Sequence, residues 1–412
     1  MKVCVLGGGG REHALVWRLR KDGHEVVALP GSDAIPGSLG GALDGALDVL
    51  AIVRAHHVEL VVVGPEAPLS KGVADVLRDS GIPVVGPSKK AAQLETSKAF
   101  AKAFMTRNGV ATSLYQDAAS AGDAISLLAD GPVVVKFDGL AAGKGVVVCD
   151  DRPAAEHAIR ELAAVHGDKA HFVMEERLHG PEVSLIVLTD GRYVVRFPLA
   201  RDHKRLGDGD QGPNTGGMGV IAPVPGVSPE ALQAIDDRIV KPTLEGLERE
   251  GLDYRGILYF GIMLTELGPK LLEYNVRFGD PEAEALLPLV GGDFGAALLA
   301  CARGSLGGAS LVATGASSVC VVAASPGYPG ASTAGLEIHG LDEEDASDVV
   351  VFHAGTKREG DKWLTAGGRV LNVVGIGNSL TEARAKAYSR LARIRFAEMQ
   401  FRKDIGAREE RA

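Results

Sequence analysis

The stretch KVCVLGGGGREHALVWRLRK, residues 2–21, decides the fold at the start of the chain. A β-like apolar run leads into four glycines and then into a helical pattern that begins at Arg11. The alternation continues through the β-like runs HEVVAL, VELVVV and IPVVG, with helical patterns at residues 48–56 and 70–79 between them. This order predicts a doubly wound parallel sheet, with its ligand at the turns that follow the strands, residues 7–10 and 64–68.

The middle of the chain reads as small α+β lobes joined by a hinge. Residues 89–108 predict one long helix, and residues 117–128 predict another. The strands PVVVKF and GVVVC flank a glycine loop, a helix starts at Pro153, and FVMEERL and EVSLIVL predict paired strands. Further on, the pattern predicts a helix at residues 229–250 and a hairpin of the strands 257–265 and 270–276.

The last part of the chain predicts a mixed α+β end domain after a small-residue linker, residues 304–317. The predicted strands and helix of this end domain are residues 318–323, 349–353, 369–375 and 380–394. The expected organisation is an N-terminal domain at residues 1–100, a central domain at 101–310 with a lid around 115–190, and a C-terminal domain at 316–412.

The bulk composition excludes several classes of protein. The net charge of −9 argues against a surface that neutralises nucleic acid or an anionic membrane. No apolar run reaches ~18 residues, and no signal-peptide core follows Met1, so we expect a soluble, cytoplasmic protein. The four cysteines form no C-x-x-C pair and predict reduced core thiols: Cys4, Cys149, Cys301 and Cys320.

The segment EYNVRFGDPE, residues 273–282, combines an acid, an amide and a guanidinium on one face of a predicted strand. Glu273, Asn275 and Arg277 alternate with Leu272, Tyr274 and Val276, which should face the other way. Oxygen ligands suit magnesium, and Arg277 suits a transferring phosphoryl group. An exposed strand with a surface ion pair explains the same pattern equally well.

Two glycine-rich loops have the composition of phosphate sites. KFDGLAAGKGVVV, residues 136–148, predicts a flexible lid between strands, although its spacing is not that of a P-loop and a plain hairpin turn is the alternative. GGGGREHA, residues 7–14, opens a helix and suits an anion, but it lacks the third glycine of the dinucleotide fingerprint because Glu12 stands there. A structural tight turn remains the alternative.

A third glycine-rich segment is polar. NTGGMG, residues 214–219, follows RDHKR and suits a small ligand, yet taken alone it reads better as a mobile surface loop.

Eight motifs in this order resemble the phosphoribosylamine-glycine ligase, or glycinamide ribonucleotide synthetase, family of ATP-grasp enzymes. They are GGREHA, GPEAPL, SKAF, DGLAAGKGV, GPNTGGMG, RFGDPE, HAGT and RKDIG. The resemblance covers nearly the whole chain. It implies an ATP-grasp fold in which nucleotide lies between two lobes, flanked by an N-terminal phosphosubstrate domain and a C-terminal cap.

The resemblance also implies a reaction. Glycine takes the γ-phosphate of ATP, and the amine of 5-phosphoribosylamine attacks the glycyl phosphate to give glycinamide ribonucleotide, ADP and phosphate, a step of purine synthesis. Mg²⁺ or Mn²⁺ would be the metal, the partners would be small molecules without nucleic acid or membrane, and the family tendency implies a monomer.

Roles follow from the same resemblance, motif by motif. Residues expected to bind ATP are Lys98, Lys136, Gly139, Gly143, Lys144, Gly145, Glu175, Glu176, Leu178 and Glu182. Residues expected to face phosphoribosylamine are Gly9, Arg11, Glu12, Pro65, Glu66, Asp202, Lys204, Asn214, Thr215 and Gly216. The expected metal ligands are Glu273 and Asn275, and the expected catalytic residues are Arg277, Lys144 and Asp280.

The metal site and the reaction each have alternatives. Many ATP-grasp enzymes carry an acidic ligand on the strand before the one that holds Glu273, but residues 257–265 contain no carboxylate, so the metal should depend on Glu273 and Asn275. Another ATP-grasp carboxylate-amine ligase would share the lid and the strand that carries the metal ligands. It would not share the motifs GGREHA, GPEAPL and RKDIG. A non-catalytic nucleotide-binding regulator is the rival of a different class.

Overall fold

The N-terminal part forms the predicted parallel sheet. The computed structural model describes residues 1–43, 45–140, 145–167, 169–343 and 345–408. The strands are Lys2–Gly7, Glu25–Pro30, Leu60–Val63 and Val84–Val85, and they lie in the order second, first, third, fourth. The helices are Gly10–Lys21, Ala46–Ala55, Glu66–Ser70 and Val73–Asp79. The strand order reverses between the first and third strands, which is where such sheets bind ligands.

The long helix predicted for residues 89–108 is wrong in one respect. The structure has two helices, Gln93–Thr96 and Lys98–Arg107, because Ser97 adopts an extended conformation with φ −133°. Its hydroxyl accepts a hydrogen bond from the amide of Phe100 at 3.0 Å, so Ser97 caps the second helix. The break turns Lys98 into the first residue of a helix.

The small lobe is a four-stranded antiparallel sheet covered by two helices. Its strands, in spatial order, are Tyr115–Ala118, Phe172–Glu176, Val133–Phe137 and Val146–Cys149. Its helices are Ala121–Leu127 and Arg152–His166. The helix predicted for residues 117–128 is therefore partly wrong: it begins only after Ser120, whose side chain caps it.

The pairing predicted between FVMEERL and EVSLIVL is also wrong. Phe172–Glu176 belongs to the small-lobe sheet, whereas Glu182–Thr189 belongs to the large-lobe sheet. In that sheet the order is Val194–Arg196, Glu182–Thr189, Gly256–Thr265 and Gly268–Asn275. The chain passes between the sheets at Gly180, where φ is +147° and a Cβ would lie 2.1 Å from the carbonyl oxygen of Leu264. This close passage joins the two lobes.

The predicted hairpin is confirmed, with a bulge. Its register changes from Gly261 opposite Glu273 to Ile262 opposite Leu271, so Leu272 is an extra residue. Leu271 is buried in the core, whereas Leu272 lines the main cavity beside Glu273. The expectation that Leu272 faces away from Glu273 is therefore wrong.

The helix predicted before the hairpin is confirmed as a continuous helical segment. It consists of Pro229–Ile235, a π-helical turn at Asp236–Val240, and Lys241–Arg249.

One mixed sheet combines strands from both sides of the predicted linker. In spatial order its strands are Arg201–Asp202, Gly219–Ala222, Ser317–Ala324, Arg369–Gly377 and Val349–His353. The helix Leu380–Leu391 packs on it through buried Ala383, Ala387 and Leu391. The mixed α+β character predicted for the C-terminal end is confirmed, and its sheet also holds part of the polar segment that precedes residue 219.

The remaining elements are short. A three-stranded sheet contains Glu337–Ile338, Lys362–Thr365 and Thr356–Glu359. Two strand pairs join Arg205–Gly207 to Gln211–Asn214 and Val290–Gly291 to Val312–Ala313. The other helices are Glu282–Leu286, the 3₁₀ turn Leu287–Leu289 and Phe294–Ala302. Across the described ranges, no helix combines the length and apolar character needed to cross a bilayer.

Candidate active site

A cavity of about 1160 Å³ lies where the two lobes, the N-terminal sheet and the C-terminal sheet meet. The predicted residues that line it are Arg11, Glu66, Lys98, Lys136, Gly139, Gly145, Glu175, Glu176, Leu178, Glu182, Asp202, Lys204, Asn214, Thr215, Gly216, Glu273, Asn275, Arg277 and Asp280. Gly143 and Lys144 lie outside the described residues. The structure thus brings most of the predicted nucleotide, metal and substrate residues to one place.

Glu175 holds two lysines at the small-lobe side of the cavity. Its carboxylate lies 2.8 Å from Lys102 Nζ and 2.7 Å from Lys136 Nζ, and it accepts a hydrogen bond from Ser113 Oγ at 2.6 Å. Burial alone would raise the pKa of Glu175, but the charges of Lys136 and Lys102 hold it below its usual range. The side chain of Glu175 is therefore committed to positioning the two lysines.

Lys102 is a residue that the sequence reasoning missed. Its side chain is only 2% exposed, and burial lowers its pKa to about 8. The available signal was its spacing: Lys102 follows Lys98 by one helical turn in the otherwise apolar helix Lys98–Arg107, and a lone lysine on such a face calls for an anionic partner.

Lys98 is positioned by the start of the lid loop. Its Nζ donates to the carbonyl of Gly139 at 2.9 Å, and its backbone amide donates to the carboxylate of Asp138. The same carboxylate accepts from the amide of Ala99 at 3.2 Å, which ties the N-terminus of the helix to the strand that carries Lys136. Lys98 and Lys136 consequently face one cavity from two different elements.

The connector between the two lobes contributes several of the residues expected to bind ATP. The amide of Glu176 donates to the carbonyl of Leu114 at 2.9 Å, and its carboxylate pairs with Lys270 at 2.6 Å. Leu178 follows in the connector and lines the cavity. Glu182 begins the large-lobe strand and pairs with Lys204 at 2.7 Å.

Glu273 and Asn275 present oxygen donors on the cavity side of the hairpin. Burial would raise the pKa of Glu273, but the charges of Lys204, Lys136 and Lys98 lower it, so the carboxylate is ionised. Within the part of the chain that the structure describes, no donor lies at hydrogen-bond distance from this carboxylate. An ionised carboxylate beside an amide oxygen fits a hard divalent cation.

Arg277 is held by two carboxylates. Its guanidinium lies 2.6 Å from Glu95 and 3.3 Å from Glu66, and the second oxygen of Glu95 accepts from the amide of Val276 at 2.7 Å. Although burial lowers the pKa of an arginine, Glu95 and Glu66 raise that of Arg277 above its usual range. The surface ion pair considered from the sequence is therefore wrong, because this cluster is internal. Glu95 was not predicted, since it lies in the short helix before Ser97, far away in sequence.

Asp280 is clamped by two arginines from distant segments. Arg369, at the start of a strand of the C-terminal sheet, approaches its carboxylate at 3.1 Å and donates to its carbonyl at 2.6 Å. The amide of Arg11 donates to the same carboxylate at 3.4 Å. Burial would raise the pKa of Asp280, but the charges of Arg369 and Arg11 lower it. The sequence reasoning missed Arg369; its signal was a charge next to a strongly apolar strand.

Three predicted substrate residues lie behind the cavity wall. Glu12 is 3% exposed, and its carboxylate accepts from the amide of Gly9 at 2.7 Å and from Arg11 Nε at 2.6 Å. A Cβ at Gly64 would lie 2.1 Å from the Glu12 carboxylate, so this glycine leaves the space that Glu12 fills. Pro65 caps the following short helix. Glu12 thus fixes the turns where the strand order of the N-terminal sheet reverses. Arg11 and Glu66, in contrast, reach the cavity.

The polar segment after residue 200 forms the opposite wall. The amide of Thr215 donates to the carbonyl of Lys204 at 2.8 Å, and the hydroxyl of Thr215 accepts from the amide of Gly217 at 3.0 Å. Arg369 donates to the carbonyl of Gly216 at 2.5 Å. Asn214 is exposed at the end of a short strand, and Asp202 is half-buried. These contacts hold the segment in place as one wall of the cavity.

Comparison with solved structures supports the class of the fold. The biotin carboxylase domain of a Hydrogenobacter thermophilus 2-oxoglutarate carboxylase, solved with MgADP, superposes with a TM-score of 0.72 at 18% identity, over 97% of this chain and 91% of that one. At this identity the likeness concerns the fold alone. The two lobes, which enclose lysines and an acidic strand, share this fold, and a model of an ATP-grasp domain matches residues 96–283, which defines an ATP-grasp enzyme.

The family follows from closer matches. Models described as the N, ATP-grasp (A) and C domains of phosphoribosylglycinamide synthetase match residues 1–95, 96–283 and 318–408. The chain belongs to the phosphoribosylglycinamide synthetase family, a family of ligases, as its motifs predicted.

Individual relatives match this chain over nearly the full length of both proteins. Proteins named phosphoribosylamine–glycine ligase from Phenylobacterium zucineum and Escherichia coli O6:H1 are 45% and 42% identical; each alignment covers 99% of this chain, and 99% and 98% of those proteins. The crystal structure of the Thermotoga maritima protein of that name has a TM-score of 0.84 at 36% identity, over 98% of this chain and 100% of that one.

Proposed function

We propose that this cavity joins glycine to 5-phosphoribosylamine at the expense of ATP, through glycyl phosphate. The observation that carries the proposal is that Lys98 and Lys136 of the small-lobe side face the same cavity as Glu273, Asn275 and Arg277. Phosphate-binding cations and a metal-binding strand that face one cavity are what transfer of a phosphoryl group to a carboxylate requires. The full-length relatives named for this activity support the choice of substrates.

The proposed roles on the nucleotide side follow the geometry. Lys98 and Lys136 bind ATP phosphates, under a lid formed by Gly139, Gly143, Lys144 and Gly145. The adenine lies against the connector, with Glu176 and Leu178 offering backbone groups, while Glu175 acts on ATP through Lys136. Glu182 takes the ribose hydroxyls, which requires its carboxylate to share or release Lys204.

Glu273 and Asn275 would hold Mg²⁺, and Mn²⁺ has the same oxygen-ligand preference. The metal would supply neutralisation of phosphate charge when bound. Arg277, kept cationic and rigid by Glu95 and Glu66, stabilises the carboxylate of glycine as it attacks the γ-phosphorus atom and ADP leaves. Phosphorylation gives the acyl carbon a good leaving group.

The second half of the reaction belongs to the other end of the cavity. The amine of phosphoribosylamine attacks the acyl carbon, phosphate leaves, and the amine loses a proton. Arg11, Glu66, Lys204, Thr215 and Gly216 would face the ribose phosphate. Asp202 and Asn214 would lie along the same wall, with Gly9, Glu12 and Pro65 shaping it from behind. Asp280 acts by holding Arg369 and the helix that begins near Arg11.

The test is the substrate dependence of ADP release by the purified protein. ADP should form at a substantial rate only when the divalent metal, glycine and phosphoribosylamine are all present. ADP formation that is indifferent to glycine would refute the assignment, and formation supported by a different amine acceptor would identify another carboxylate-amine ligase. A protein that binds ATP without any turnover would be the non-catalytic regulator.

A further inference from the structure

We infer that the carboxylate of Glu282 binds the ammonium group of glycine. This assignment rests on the proposed function and adds a residue to which neither the motifs nor the metal strand gave a role. Glu282 begins the short helix Glu282–Leu286, lines the cavity, and is 4% exposed.

Hydrogen bonds from the large lobe fix this carboxylate. Its Oε1 accepts from the hydroxyl of Tyr259 at 3.1 Å and from Ser184 Oγ at 3.4 Å, and these two hydroxyls also bond each other at 2.7 Å. Tyr259 lies directly opposite Asn275 in the hairpin. Glu282 is therefore held beside the proposed metal strand, and its second oxygen has no hydrogen-bond donor among the residues that the structure describes.

This wall of the cavity holds the Glu282 carboxylate without a side-chain cation paired to it among the described residues. Asp202 lies near Glu282, and its Oδ1 is buried without a hydrogen-bond partner in the described ranges. Burial and then the charge of Glu282 raise the pKa of Asp202. The nearby cations are already paired, Lys204 with Glu182 at 2.7 Å and Arg369 with Asp280 at 3.1 Å. The ammonium group of a substrate would neutralise the negative charge that these pairings leave on Glu282.

The position of Glu282 suits the ammonium group of glycine rather than the amine of phosphoribosylamine. Glu282 and Arg277 line the same cavity, and Tyr259, which bonds Glu282, lies opposite Asn275, so Glu282 is on the side of the cavity where the glycine carboxylate is proposed to react. Only one carbon separates the carboxylate of glycine from its ammonium group. A bound ammonium also has no free electron pair, so the bound glycine cannot itself act as a nucleophile in this orientation.

The test compares glycine with glycolate, which replaces the ammonium group with a hydroxyl. In Glu282→Gln we expect the KM for glycine to rise roughly 10- to 100-fold, as for loss of a charge-assisted hydrogen bond. The inhibition constant of glycolate, measured against glycine, should stay within about twofold of wild type. The KM values for ATP and phosphoribosylamine should change little.

Matched variants separate this role from a structural one. Tyr259→Phe removes the hydroxyl that orients Glu282 and should raise the KM for glycine by a smaller factor, which keeps the test available if Glu282→Gln does not fold. Glu248→Gln alters a surface carboxylate near Arg192 and should leave every constant unchanged. An equal loss of affinity for glycine and glycolate, or a rise in the KM for phosphoribosylamine alone, would overturn the inference. Failure of the proposed function would appear instead in the wild-type protein, as ADP release independent of glycine.

Discussion

At the residue scale, charge decides which predicted side chains are free to meet a ligand. Glu175 was expected to bind ATP, but Lys102 and Lys136 occupy both of its oxygens. The motif identified the residue, and only the fold reveals its partners, because Lys102 lies more than 70 positions away. Glu273 is the opposite case, since it lines the cavity and its carboxylate has no donor among the described residues.

The first prediction concerns Glu273→Ala. Because the carboxylate is the charged oxygen donor of the proposed metal site, we expect kcat for ADP release to fall at least about 100-fold. The melting temperature should change little, since the carboxylate of Glu273 makes no hydrogen bond in the part of the chain that the structure describes. Steady-state assays and thermal unfolding measure the two quantities. Near-normal turnover would mean that the metal ligands lie elsewhere.

At the element scale, the start of a helix positions Lys98, one of the lysines proposed to bind phosphate. Periodicity predicted a single helix for residues 89–108, because apolar spacing runs through Ser97 without interruption. The break depends on Asp138, which is distant in sequence and accepts hydrogen bonds from the amides of Lys98 and Ala99. Strands and long helices were predictable from local pattern, whereas a helix start fixed by a remote carboxylate was not.

We therefore predict that Asp138→Ala lowers both stability and ATP affinity. Loss of the cap should cost about 1–2 kcal/mol of unfolding free energy. The KM for ATP should rise several-fold, because Lys98 loses its fixed position. Urea unfolding and steady-state kinetics measure these effects.

Asp151→Ala is the matched control for that variant. Asp151 caps the helix Arg152–His166 in the same lobe by accepting from Ala154 at 2.9 Å, and it does not line the cavity. The Asp151→Ala variant should reduce the free energy of unfolding by a similar amount. Its KM for ATP should be unchanged. Equal effects of the two variants on ATP would contradict a positioning role for Asp138.

At the scale of the whole molecule, the first helix and the C-terminal sheet meet through two histidines. His13 Nδ1 accepts a hydrogen bond from the amide of His353 at 3.0 Å, so His13 is neutral at that atom. Burial lowers the pKa of His13 to about 4, and burial and His13 lower that of His353 to about 3. The motif HAGT was noticed in the sequence, but nothing local to it indicated that it contacts the first helix.

This contact predicts loss of stability in mild acid. Both histidines have folded-state pKa values below the usual 6.5, so the unfolded chain binds more protons and stability falls as pH drops from about 6.5 towards 4. We expect His13→Asn to remove roughly 1–2 kcal/mol of the difference in unfolding free energy between pH 7.5 and pH 5. Urea titrations at both pH values measure this. The exposed His157→Asn should behave as wild type, and an unchanged pH dependence in His13→Asn would contradict the assignment.

The mixed sheet has a consequence for synthesis of the chain on the ribosome. Gly219–Ala222 pairs with Ser317–Ala324, which in turn pairs with Arg369–Gly377, so the cavity wall gains its second neighbour only about 100 residues after it is translated. Until then the nascent chain presents an open strand edge. Completion of the cavity therefore waits until residue 369 is translated, and a product truncated before that residue would lack the arginine that clamps Asp280.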